Sequence, residues 1–202
     1  MNWPDTLLGR VEALAVMQTL NAGLLGSRSA TSTLERWCAD HAMAAEPKIV
    51  AQLVRDVEKP VSAEQRRRLQ VGDRETVKYR RVRLSCGVHV LSEADNWYVP
   101  SRLTPEMNRL LETTDTPFGR AVQGLSPSRQ TFRVEMLWSP LPDRWETRDL
   151  SAIPVTGGTL AVPPRLFEHQ ALLYTADRTP FSEVNETYSS AVLAFPPPAA
   201  PR

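Results

Sequence analysis

The chain has 202 residues, with 24 Lys plus Arg against 23 Asp plus Glu and a formal net charge of +1. That length suits one domain, or one domain and an appendage, with a real hydrophobic core. The near-neutral balance argues against wholesale binding to nucleic acid or acidic membranes, and no apolar run is long enough to span a bilayer.

In chain order, residues 5–25 read as a helix, with Asp5 as cap and Leu7, Leu8, Val11, Leu14, Ala15 and Met17 at helical spacing. The first residues lack a basic n-region and an apolar h-region. A cytoplasmic chain is expected, with a trimmed leader left open. "GSRSATST" (26–33) is a polar break, after which Thr33 is expected to cap a helix over 34–44. Residues 48–60 read as a strand, and 61–75 as a loop with a short helical turn. "TVKYRRVRLSCG" (76–87) and "VHVLSEADNWYVP" (88–100) are rich in β-branched and aromatic residues and predict a hairpin.

Thr104 and Pro105 open a helix over 103–114, and Thr116 and Pro117 open a second over 115–125. Residues 128–140 read as a strand. Residues 141–164 read as an irregular connection with one short strand. Residues 165–176 and 181–195 read as a closing hairpin around "DRTP". The tail "PPPAAPR" (196–202) is expected to be disordered. Hairpin-linked strands with grouped helices predict an α+β fold, an antiparallel sheet with flanking helices.

Cys38 and Cys86 have no metal-type spacing and read as small buried thiols of a reduced compartment; a disulfide between them stays open. The three histidines are too scattered for a zinc site. Phosphate-loop, GxSxG and metal-cluster signatures are absent, which favours cofactor-free chemistry or plain binding.

Three features carry chemistry. In "KYRRVRLSC" alternation puts Arg80 on one face with Val82 and Leu84, and Arg81 on the other with Tyr79 and Arg83. A guanidinium among apolar neighbours wants a carboxylate, from a substrate or from a structural partner such as Glu186. Glu186 shares a face with Val184 and Tyr188, so a carboxylate points at the core. An internal ion pair, a wet strand edge or a ligand would each account for it. "TTDTPFGRAV" offers a helix start whose unpaired N–H groups suit an anion.

These residues carry a resemblance. "TPFGRAV" (116–122) resembles the TPLGR-type motif of the chorismate pyruvate-lyase family. "TPFSEVNETY" (179–188) is similar to that family's final strand, "YRRVRL" (79–84) with "NWYVPSRLTPEM" (96–107) to its central hairpin and helix, and "STLERW" (32–37) to its early helix start. The match covers about residues 31–125 and 165–195 in order. It implies a chorismate-lyase-like domain over 31–195, with residues 1–30 as a helical extension, a monomeric state and no cofactor. It also implies that Arg80 grips the carboxylate of an aromatic acid, that Glu186 handles the ring hydroxyl, and that Leu34 and Phe118 line the pocket. The run "RRVR" allows Arg81 to take the place of Arg80. Cleavage of chorismate to 4-hydroxybenzoate and pyruvate is the first expectation. Binding of a hydroxybenzoate-like acid without turnover is the second, and a fold that has lost its ligand is the third. No helix-turn-helix segment is visible, so a small molecule and not nucleic acid is the expected partner.

Overall fold

The computed structural model describes residues 2–198. Six strands form one antiparallel sheet: Ile49–Val54 (β1), Lys78–Cys86 (β2), His89–Tyr98 (β3), Ser128–Met136 (β4), Arg165–Tyr174 (β5) and Pro180–Ser189 (β6), in the order β1-β2-β3-β6-β5-β4. Helices Leu7–Leu25 (α1), Ala30–Asp40 (α2), Pro105–Thr113 (α4) and Phe118–Ala121 (α5) contribute to the main core. Helix Ala63–Leu69 (α3) joins a smaller cluster, in which Leu69 meets Trp97, Val99 and Leu172. The antiparallel α+β architecture expected from the sequence is therefore observed. The expected tail reaches past Pro198, and residues 199–202 lie outside the described residues.

The local rules act as expected at two places. Thr104 caps α4 through Met107 N–H, with Pro105 in its first turn. The β2–β3 hairpin turns at Gly87, whose φ of 53° suits a residue without Cβ.

Several starts shift. Thr6, not Asp5, caps α1 by accepting from Gly9 N–H at 3.0 Å. Asp5 instead accepts from Arg10 Nε at 2.5 Å and from the Thr156 hydroxyl at 2.7 Å. The Arg10 bond first, and then the Thr156 bond, hold its carboxyl down to about 2. The chain before α1 thereby grips the long connection: Pro4 bridges Thr159, Leu160 N–H reaches Trp3 O, and the fully buried Trp3 donates to Leu193 O. Gly9 permits this, because a Cβ there would lie 2.3 Å from Pro4 O. The strand expected within 141–164 is replaced by that single bridge and two 3-10 turns.

Helix α2 begins at Ala30, not at residue 34. Ser29 caps it, and Thr33 lies inside with its N–H on Ser29 O. Residues 61–75 contain more order than a loop: Ser62 and Gln65 form a reciprocal capping box for α3.

Cys38, in the last turn of α2, and Cys86, at the end of β2, are joined by a disulfide with Cα atoms 6.1 Å apart. This corrects the expectation of two free thiols. A separation of 48 residues says nothing of distance once α2 lies across the end of β2. Thiol titration of the unreduced, denatured protein is expected to find no free thiol. A full count of two would refute the bridge.

Candidate functional site

The core face of the sheet carries one cross-strand row of Leu53, Val82, Ala94, Glu186, His169 and Val134. The small Ala94 leaves a hollow there. Val82, Leu84, Asn96 and Val184 floor it, and the first turns of α2 and α5 close it with Ser29, Ala30, Thr31, Phe118 and Gly119. Its volume is ≈ 50 Å³, room for one or two waters at about 30 Å³ each and too little for an aromatic ring. A surface cleft of ≈ 580 Å³ shares Arg28, Ser29, Thr31, Gly119 and Pro127 with it. The hollow is thus the inner end of an entrance between α2 and α5.

Two charges sit in its wall. Arg129 Nη2, from β4, donates to Glu186 Oε2 at 2.5 Å, and the two side chains are 3% and 8% exposed. Tyr188 donates its hydroxyl to the same Oε2 at 2.9 Å. Arg129 also donates to Thr131 Oγ1 at 2.9 Å and to Leu24 O at 3.3 Å. Its Nε is buried with no hydrogen-bond partner among the described residues. Burial is the largest influence and works to lower the Arg129 pKa, but the Glu186 charge, the nearby Tyr188 and the Glu186 hydrogen bond together outweigh it and the net shift is upward. Burial first, and then the Glu186 charge, push the Tyr188 phenol well above its ordinary value.

His169, opposite Glu186 on β5, is fully buried and shares a 2.8 Å hydrogen bond with Asn21 Oδ1 through Nε2. Its Nδ1 has no partner among the described residues. Burial drives its pKa down to about 4, a shift that Glu186 opposes and Arg129 assists.

The resemblance implied that Arg80 and Glu186 hold the two ends of one aromatic acid. The geometry differs, because β3 lies between β2 and β6. Arg80 does face inward, but its Nε donates to Leu111 O at 3.1 Å and its Nη2 to Thr116 O at 2.8 Å. It therefore ties the end of α4 and the approach to α5 onto the sheet. Its side chain lines a separate open cleft of ≈ 1150 Å³ with Tyr98, Leu111 and Lys78. Burial lowers its pKa to about 10, and its Nη1 is unpartnered among the described residues.

Arg81 points to the opposite face and pairs with Glu93 at 2.6 Å. The Glu93 hydrogen bond raises its pKa. Leu34 is fully buried in the main core; the cavity wall is built one turn earlier in α2, by Ala30 and Thr31. Phe118 does line the hollow, edge-on to Tyr98 at 5.8 Å. Thr116 is not a cap: α5 starts at Phe118 after Pro117, and the Thr116 carbonyl is the acceptor for Arg80.

Sequence reasoning missed Arg129, and a bulge hid it. Thr131 opposes Ala171 while Arg133 opposes Gln170, so Phe132 is an extra residue. Simple alternation puts Arg129 and Arg133 on one face, as two ordinary surface cations. The bulge turns Arg129 inward and leaves Arg133 outward.

Comparison with known structures places this fold in a class. The effector domain of PhnF from Mycobacterium smegmatis superimposes with a TM-score of 0.51 at 14% identity, over 82% of this chain and 91% of that one. The possible transcriptional regulator YydK from Bacillus subtilis subsp. subtilis str. 168 matches at 17% identity and a TM-score of 0.43, over 75% of this chain. The chain spans only 62% of YydK. The fold is that shared with the PhnF effector domain, an antiparallel sheet with flanking helices. In sequence, the chain belongs to the family of Uncharacterized protein y4mC from Sinorhizobium fredii (strain NBRC 101917 / NGR234), being 54% identical over 199 residues, which cover 97% of this chain and 83% of that protein. No family model matches. Among the described residues, no helix is long and apolar enough to cross a membrane.

Proposed function

We propose that this chain is a binding module for a small hydroxylated aromatic acid, held in the hollow between α2, α5 and the sheet. The observation that carries the reading is Arg129: a guanidinium 3% exposed, in the cavity wall, with one N–H donor unpartnered among the described residues. A buried donor left unpaired costs free energy that an acceptor on a ligand recovers. The ligand carboxylate lies toward the first turn of α2, where Ser29, Thr31, Arg28 and the positive helix end favour an anion. Its hydroxyl donates to Glu186 and its oxygen accepts from the free Arg129 Nε–H, and Phe118 flanks the ring. The matching domain of PhnF is an effector domain, and the reading brings that role here. Because the hollow is small, α5 and its approach must shift to admit a ring.

The rival lyase reading needs Arg80 and Glu186 on one substrate. They line different hollows, which favours binding over turnover. The test is calorimetric titration of the protein with 4-hydroxybenzoate, 3-hydroxybenzoate and benzoate, beside an assay of pyruvate release from chorismate. Binding of a hydroxybenzoate in preference to benzoate, with no pyruvate released, is expected. A Cβ at Gly119 would lie 3.2 Å from Ser29 Oγ and 3.5 Å from Thr31 Oγ1. Gly119→Val is therefore expected to block the entrance and weaken binding at least about tenfold, a loss of about 1.4 kcal/mol, with circular dichroism checking that the fold is kept. Pyruvate release would restore the lyase, and no response to any of these acids would overturn the proposal.

A further inference from the structure

Strand β4 is an edge of the sheet, paired only to β5. The bulge at Phe132 and the inward Arg129 guard its first half, but the stretch from Arg133 to Met136 contains neither Lys nor Pro, the residues that would protect it. Val134, Met136 and Leu137 leave 40%, 38% and 37% of their surface exposed along it. The other edge, β1, has six residues, and its first N–H, that of Ile49, is already taken by the Glu35 carboxylate at 3.1 Å.

The charges on β4 select its partner. Past the bulge, Arg133 and Glu135 stand on one face, 59% and 45% exposed, with Val134 between them on the other. In an antiparallel pair of identical strands, a two-fold axis through Val134 sets each Arg133 opposite Glu135 of the second copy, twice over. It also brings the two Val134 side chains together on the core side. An axis through Arg133 or Glu135 would place like charges face to face, which is unfavourable. One register is therefore favoured over its neighbours. We infer that β4 pairs with β4 of a second copy about an axis at Val134, joining two sheets into one and making a dimer of a chain that sequence alone suggested to be monomeric. The isologous contact closes on itself, so it leads to a dimer and not a filament.

The test is sedimentation velocity over a concentration series, with the wild type, Arg133→Glu, Glu135→Arg and the double variant Arg133→Glu/Glu135→Arg. Both substitutions fall on exposed side chains, and unchanged circular dichroism checks the fold. A concentration-dependent dimer is expected. Each single reversal sets like charges opposite one another and should weaken association at least about tenfold. The double reversal restores opposite charges in the same register and should bring association back near wild type. A monomer at every concentration overturns the inference. So does a dimer indifferent to the single reversals, or one that the double reversal fails to restore.

Discussion

Replacing Glu186 by alanine is expected to cost the fold about 3–5 kcal/mol, the penalty for removing one partner of a buried ion pair. The argument rests on what is left behind. Arg129 keeps its bonds to Thr131 Oγ1 and Leu24 O, but its Nη2 joins Nε as a buried donor without an acceptor. Tyr188 also loses the acceptor for its hydroxyl. Neither group relieves the loss by changing charge at neutral pH: an arginine stays protonated in proteins, and burial keeps the Tyr188 phenol neutral. Removing the whole pair should be milder. Arg129→Met with Glu186→Leu fills the space with apolar atoms and is expected to restore most of the lost stability. Urea denaturation of the two single variants and the double variant measures this. A loss under about 1 kcal/mol for Glu186→Ala would mean that water enters the hollow and replaces the carboxylate. The pair would then act as ligand machinery alone.

Local chemistry made much of the architecture readable, and long-range contacts hid the rest. The Thr104–Pro105 start and the β-branched hairpin 76–100 depend on neighbours in sequence, so their rules transfer directly. Alternation likewise turned Arg80 and Glu186 inward, because both lie on strands regular at those points. The partner of each was a different matter. Glu186 meets a residue 57 positions away on a strand beyond β5, and Arg80 meets two backbone carbonyls. No side-chain pattern reports a carbonyl. A motif match placed Leu34 one helical turn too deep, because three serines and two threonines before it offered several starts and only packing chose Ser29. The long connection 141–164 carried no periodicity, and its order comes from Asp5 and Trp3 at the far end of the chain.

Acidification should destabilise the fold through His169. In the unfolded chain its imidazole titrates near 6.5; in the fold, burial lowers that to about 4. Above the unfolded value both states are neutral and the residue is indifferent to pH. Between about 6.5 and 4 the unfolded chain takes up a proton that the fold refuses, so stability falls as pH falls. Below about 4 both states are protonated and the penalty stays constant. At about 1.4 kcal/mol per pKa unit, the loss approaches 3 kcal/mol. The groups around the ring explain the direction. Phe167 and Tyr188 pack against it at 5.4 and 5.3 Å between centroids, and Asn21 accepts from one nitrogen only. Glu186 would welcome a cation, but Arg129 has already neutralised it. His169→Gln cannot titrate, and its unfolding free energy is expected to change about 3 kcal/mol less than wild type between pH 7 and pH 4. The comparison subtracts every other titrating group shared by the two chains. Equal slopes in wild type and variant would show that the fold accepts the proton on His169, and that the Glu186 charge outweighs both burial and Arg129.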